Sequence, residues 1–277
     1  MMRALDPAVY APAFEVVKSL LPPPPEHPLG CHRRRVPDEL CFQGLLLRLV
    51  TGASWETVEM ALNYRVSDTT LRARRDEWVA AGIFEQLVAL ALHSYHSTIG
   101  LDLNDVALDA SNQPAPWGRE GVGPNYKDQG KRGWKWCLAV DATGIPIAWT
   151  VDAANRNDYK LMFPVIEQLA DRNLTRLVDR LHADRGFNYR STPQRLADYG
   201  ITNFVAPSRN KPGQGTRPLV GLRRCWIVEA THAWLRNYGQ LRRNTDRTTE
   251  HRHAALCLAI ALLIIGRITN PRLCPIR

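Results

Sequence analysis

Near residue 100 the spacing of apolar residues changes period, which limits the chain to a helical segment followed by a sheet-containing one. From Pro37 to Tyr95 apolar residues recur at helical spacing: Leu40, Leu45 and Leu49, then Val58 and Leu62, then Leu71, Trp78 and Ile83. After Leu101 the apolar runs become short and bounded by turn residues: Val106–Asp109, Trp134–Asp141, Ile145–Val151, Arg180–Asp184 and, fifth, Asn203–Ala206. The tight connection Asp141-Ala142-Thr143-Gly144 predicts an antiparallel hairpin. Tyr159–Ala170 and Arg224–Leu241 read as helices. This order predicts an α/β domain, a mixed sheet of five strands flanked by helices.

Ahead of these segments, Phe14, Val17, Leu20 and Leu21 carry a weaker helical pattern that Pro22–Pro25 must stop, since proline lacks the donor NH. The chain therefore divides into an N-terminal segment with a proline-rich linker (1–36), a helical region (37–98) and a catalytic candidate (99–277). Within the helical region, Ser54 and Ser67 are N-cap residues on either side of a break at Asn63–Val66, which is helix-turn-helix spacing. The second of those helices would present Thr69, Arg72, Arg74 and Arg75 to a groove or to phosphates. Two short helices packed in a bundle are the alternative.

Hydrophobic residues make up 45% of the 277 positions and charged ones only 23%, a composition that folds rather than stays disordered. The net charge of +9 favours a polyanionic partner, with double-stranded DNA the leading choice. The six cysteines form no CxxC pair and no histidine cluster completes a zinc spacing, so they read as isolated reduced thiols. No signal peptide is recognisable, and the longest apolar run, Ala254–Ile265, is too short to cross a bilayer. The expected location is cytoplasmic, associated with the nucleoid when on DNA, with no membrane partner.

Asp109 and Asp184 each end an apolar run and precede polar residues, Ser111-Asn112-Gln113 and Arg185-Gly186. Acids brought together raise one another's pKa unless a divalent cation offsets the repulsion, so a third carboxylate is worth seeking. Glu229 lies on an amphipathic helix whose apolar side is Ile227, Ala230, Trp234 and Leu241, with Glu229, His232, Arg236, Gln240 and Arg243 on another side. Three carboxylates without cysteine suit hard cations, and two Mg²⁺ roughly 3.5–4 Å apart are the chemistry of phosphodiester cleavage and transfer. The glycine-rich loop Gly121–Lys127, continuing to Lys131 and Arg132, and the bases near Glu229 could hold phosphates.

Several segments, in order, resemble the DDE transposases of bacterial insertion sequences: Leu108–Ser111, Gly123–Asn125 with Lys131 and Gly133, Ala139–Pro146, Ala154–Asp158, Ala183–Phe187 and Trp226–Leu235. Together they span about residues 100–265. The resemblance implies a ribonuclease-H-like fold with Asp109 on the first strand, Asp184 on the fourth and Glu229 on a later helix, all three holding Mg²⁺ or Mn²⁺. It also implies a basic residue seven positions after the glutamate, supplied by Arg236, whereas relatives carry Arg where this chain has Ala230. The implied activity is DNA cleavage at element ends followed by strand transfer into target DNA, with a homodimer in the DNA complex. Expected DNA contacts are Lys127, Lys131, Arg132, Arg185, Arg236 and Arg243, with Arg72, Arg74 and Arg75 in the helical region.

Other polar residues have plainer readings. Asp141 serves its turn, Asp158 caps the helix that follows, His182 is structural, and His232 faces DNA or water. Glu250 is a first-turn acid of the last helix, and Trp134, Trp136 and Trp234 belong to the core. Two rival functions share these features: a nuclease of the same fold that cleaves without joining, and a transposase-derived DNA-binding protein without activity. A small-molecule hydrolase would need a Ser-His-Asp or metal-histidine arrangement that is not recognisable here.

Overall fold

A computed structural model describes residues 5–23, 35–207 and 225–270. Pro24, Pro25, Cys31, Arg224 and Cys274, used in the sequence reading, lie outside the described residues. Five helices come first: α1 (Pro7–Leu20), α2 (Asp38–Thr51), α3 (Trp55–Ala61), α4 (Asp68–Ala80) and α5 (Ile83–Thr98). The expected caps form. Ser54 Oγ accepts from Thr57 N and Ser67 Oγ from Thr70 N, each at 3.2 Å, so each satisfies an otherwise orphaned donor. Trp78 is the centre of the bundle, with Phe42 and Phe84 rings each 6.4 Å away.

The remaining elements are β1 (Asp105–Pro114), β2 (Gly123–Asn125), β3 (Lys131–Val140), β4 (Pro146–Ala153), α6 (Asp158–Asp171), β5 (Arg180–Ala183), α7 (Thr192–Ala197), β6 (Phe204–Val205), α8 (Cys225–Arg236), α9 (Gly239–Arg242) and α10 (Thr249–Thr269). Antiparallel β4, β3 and β1 are followed by β5 and β6, parallel to β1, in the order β4-β3-β1-β5-β6. That is a ribonuclease-H-like sheet. The hairpin turn works as expected: Asp141 accepts from Thr143 N (2.9 Å) and Ile145 N (2.8 Å), and burial raises its pKa against those bonds.

Three sequence expectations change. Among the described residues the sheet has six strands rather than five, because Gly123–Asn125, read as loop, pairs with the start of β3. Strand β1 does not end at Asp109. It runs to Pro114 because β3 pairs with it along that whole length, down to Pro114 opposite Gly133. Helix α6 is capped by Asn157, whose Oδ1 accepts from Tyr159 N at 2.9 Å, and Asp158 instead pairs with Lys135.

Helix α10 has 21 residues, more than its apolar run suggested; by length and composition it could cross a bilayer, yet 72% of that stretch is buried inside the protein. It packs on α5 and α1 on one side and meets β4 on another, so the N-terminal helices and the sheet share one continuous apolar core. A buried charge cluster joins the same halves. Arg48 on α2 donates to Asp246 (3.2 Å), Thr245 Oγ1 (3.0 Å) and the Ala53 carbonyl (2.7 Å), and it stacks on Trp55 at 4.3 Å. Asp246 also accepts from Gln240 Nε2 at 2.5 Å and Arg75 Nη1 at 3.4 Å. Burial pulls the Arg48 pKa down while the Asp246 carboxylate holds it up.

Removing one partner of a buried ion pair strands the other charge, whereas an exposed pair contributes little. Asp246→Ala should therefore lower unfolding free energy by about 3–5 kcal/mol. Arg72→Ala, which breaks the exposed pairs to Glu56 and Asp68, should lower it by under about 1 kcal/mol. Urea unfolding of both variants checks the ordering; equal losses would show that Asp246 is not the joint between the halves.

Candidate active site

The parallel pairing of β1 with β5 sets the first two carboxylates side by side. Leu108 lies opposite Ala183, so Asp109 and Asp184 occupy the next register position and project from the same face. Helix α8 lies against β1 and β3 on that sheet. Thr231 anchors it, donating to the Gly144 carbonyl in the hairpin turn at 2.9 Å. Gly144 is required there: its φ is +83°, and a Cβ would lie 3.0–3.1 Å from the Trp234 ring and Thr231.

This anchoring turns His232 inward, where Trp136 Nε1 donates to its Nδ1 at 2.8 Å and its Nε2 lies 3.5 Å from Asp109 Oδ2. Indole is a donor only, so His232 Nδ1 is the acceptor, which leaves the buried Nε2 facing Asp109 without a hydrogen bond to it among the described residues. His232 thus borders the Asp109 carboxylate. The expectation that it faces DNA or water is corrected: it is buried. Glu229, one helical turn earlier, is exposed.

Electrostatics place the three acids in one space. Partial burial raises the Asp184 pKa, and the Asp109 and Glu229 carboxylates raise it further, with Lys127 acting against them and Asp158 adding a little. Lys127 sits on a 3-10 turn, Tyr126–Asp128, capped by Asn125, whose Oδ1 also accepts from Asn112 at 3.1 Å. Beside this turn lies a groove of about 280 Å³ lined by Asn112, Tyr126, Lys127, Lys135, Asn157 and Gly186 among others. It brings together the chain segments around residues 125, 156 and 186 that the sequence resemblance singled out.

The expected DNA-contacting bases fall into three groups. Lys131, Arg132 and Arg185 are exposed, with Lys131 paired to Asp128 at 3.1 Å and Arg132 donating to the Gly118 carbonyl at 2.9 Å. Arg74 is corrected: it is buried, paired with Asp38 and Glu77, because residue i+3 of its helix and the start of α2 supply acids on its inner face. Arg72 and Arg75 line a cleft of about 630 Å³ with Arg48, Arg243 and Arg247, against two acids, Glu56 and Asp246.

Arg236 and Arg243 do not share one helix. Helix α8 ends at Arg236, whose Nε donates to the His232 carbonyl at 3.3 Å, and the chain restarts as α9 before Arg243. The buried side of α8 is Ile227, Val228, Thr231, His232 and Leu235; Ala230 and Trp234 lie at its margin, and Gln240 is buried against Asp246. His182 is structural, bonded to buried Asp105 at 2.7 Å. Sequence reasoning missed the Trp136–His232–Asp109 chain and, in the cleft, Arg247 and the exposed Trp117. The histidine carried one signal, its place one turn after Glu229; the cleft residues carried none.

Comparison with known proteins agrees along most of the chain. Residues 101–265 match the transposase DDE domain family, and residues 11–88 match a family described as transposases of the IS4/5 family. The transposase assigned to insertion sequence element IS402 of Burkholderia cepacia is 34% identical over 155 residues, covering 53% of this chain and 70% of that protein. An uncharacterized 16.2 kDa protein of the same element and organism is 28% identical over 107 residues, covering 38% of this chain and 72% of its own length. A chain of the pre-cleavage Mos1 transpososome aligns over 89% of this chain and 82% of its own at 11% identity, but with a TM-score of 0.28 the two share no detailed geometry.

A carboxyl whose folded pKa is raised gives up its proton more readily unfolded. Its charge therefore lowers stability as pH rises through the folded value, and the deficit persists at neutral pH. In protein stripped of divalent cations, Asp184→Asn should raise the melting temperature at pH 7 and leave it nearly unchanged near pH 4. A melting temperature at pH 7 equal to or below that of the unsubstituted protein would show that Asp184 does not sit among like charges.

Proposed function

Because this chain belongs to the DDE transposases of insertion sequences, we propose that Asp109, Asp184 and Glu229 are the carboxylates with which it cleaves and joins DNA strands. The observation that carries the assignment is the β1–β5 register, which pairs Leu108 with Ala183 and so sets Asp109 beside Asp184, with Glu229 close enough for its charge to act on Asp184. Like charges gathered by a rigid scaffold suit a divalent cation between them.

The donor set fits such a cation. It is oxygen only, as hard cations require. We assign Mg²⁺ or Mn²⁺, held by the three carboxylates; when bound, the cations activate the attacking oxygen and stabilise the leaving one. The protein's own residues do the rest. His232, fixed by Trp136, packs beside Asp109, and Thr231 sets the rotation of the helix that carries Glu229. Lys127, close enough to act on Asp184, holds the phosphate beside the carboxylates, with Arg236 and Arg185 flanking. Water attacks the phosphodiester at an element end to leave a 3′-OH, and that hydroxyl then attacks target DNA in a second in-line displacement, with no covalent protein intermediate.

The arginine-lined cleft is our assignment for the duplex beyond the reacting phosphate, with Arg72, Arg75, Arg243 and Arg247 on its walls. Two element ends must meet before joining, so the working assembly is a homodimer on DNA, associated with the nucleoid.

Purified protein incubated with DNA carrying the element ends and Mg²⁺ should give both nicks and joined products. Asp184→Asn should give neither while keeping metal-free DNA affinity at least as high, since it removes a negative charge beside the phosphates. Nicks without joined products would make the protein a nuclease, and normal cleavage by Asp184→Asn would remove that residue from the site. For the cleft, Arg243→Ala with Arg247→Ala removes two phosphate contacts, so the slope of log K against log salt should become shallower by about 1.8 units. An unchanged slope in filter binding between 50 and 200 mM salt would move the DNA off this surface.

A further inference from the structure

Far from the carboxylates, helices α5 and α10 bring three metal-binding side chains together. His253 and Cys257 are one turn apart on α10, so they share a face, and Glu85 reaches them from α5. Glu85 Oε1 lies 3.0 Å from His253 Nδ1, and Cys257 Sγ lies 3.7 Å from His253 Nε2 and 3.8 Å from Nδ1. One ligand atom from each residue falls within 4.8 Å of the other two.

We propose that Glu85, His253 and Cys257 bind one zinc ion, which clamps the N-terminal helices to α10. Tetrahedral zinc, with Zn–S of about 2.3 Å and Zn–N or Zn–O of about 2.0–2.1 Å, sets ligand-to-ligand edges of roughly 3.3–3.6 Å. The two spacings that involve His253 need adjustments of only a few tenths of an ångström. A second observation points to a missing partner: Glu85 Oε2 is shielded from solvent and has no hydrogen-bond partner among the described residues.

Thiolate and imidazole select zinc over the hard cations of the DNA-cleaving site. Glu85 and His253 are partly exposed, which leaves water access to the fourth position. The proton balance is explicit. Burial works against a charged His253, but hydrogen bonds to Cys257 and Glu85 outweigh it and push its pKa up to about 10. Zinc entry therefore displaces the imidazolium proton and the thiol proton, two per ion at neutral pH, and replaces the Glu85–His253 ion pair with three coordinate bonds.

The test uses full-length protein stripped of metal and titrated with Co²⁺, then Zn²⁺. One equivalent of Co²⁺ should produce a near-ultraviolet thiolate charge-transfer band and the intense visible bands of a tetrahedral site, both abolished by one equivalent of Zn²⁺. Cys257→Ser should lose the charge-transfer band. Glu85→Gln, at a partly exposed position that leaves the core intact, should keep the band but weaken zinc binding by at least about 10-fold. At 100 times the dissociation constant, zinc should raise the melting temperature by roughly 5 °C in the unsubstituted protein and not in Cys257→Ser. Asp184→Asn should show the same bands and the same zinc-induced rise in melting temperature, measured from its own metal-free value, which keeps this outcome separate from that of the DNA-cleaving site. Absence of the band, or its persistence in Cys257→Ser, or unchanged zinc affinity in Glu85→Gln, overturns the proposal.

Discussion

A buried guanidinium dictates how the two halves of this protein meet. Arg48 lies inside the helical half, where its charge is tolerated only with partners, and those partners are Thr245 and Asp246, nearly two hundred residues later. Satisfying Arg48 draws the 244–248 segment against the end of α2. There the backbones nearly touch: a Cβ on Gly239 would lie 2.3 Å from the Thr51 carbonyl oxygen, and Gly52 has a φ of +71°. Glycine at both positions makes the approach physically allowed. Because α8 leads directly into α9 at this contact, the helix bearing Glu229 has its far end fixed by a charge pair remote from any carboxylate of the site.

At its other end the same helix is held by neutral hydrogen bonds. Thr231 grips the hairpin turn, and the indole of Trp136 fixes the imidazole that meets Asp109. The hydrogen bonds that hold this part of the helix are neutral, and Lys127 is the cation whose charge acts on Asp184.

What the sequence made legible follows from how local each determinant is. The caps at Ser54 and Ser67 were readable because the acceptor and donor lie three residues apart, and the strands that set Asp109 beside Asp184 because apolar runs lead straight to both acids. The break between α8 and α9 was not readable: no proline marks it, and its cause is the close approach of Gly239 to another helix. Arg74 looked like its neighbours Arg72 and Arg75, and only Asp38, on a helix packed from elsewhere, makes it internal. Asp109 looked like a strand end because its polar successors resemble loop; the length of β3 decided otherwise. His253 and Cys257 show helical spacing in the sequence, but Glu85 stands 168 positions away from the histidine, beyond the reach of any motif.

Helix α10 fills the core of helices made about 150 residues earlier, and this has a consequence for synthesis. At about 5–20 residues per second, α5 waits roughly 8–30 s and α1 roughly 11–46 s on the ribosome with their apolar faces uncovered. They complete their packing only when α10 emerges, and the same event closes Asp246 over Arg48. Chains released early lack the partner on which their N-terminal half packs, so an interrupted transcript yields material prone to aggregation and proteolysis rather than a half-working enzyme.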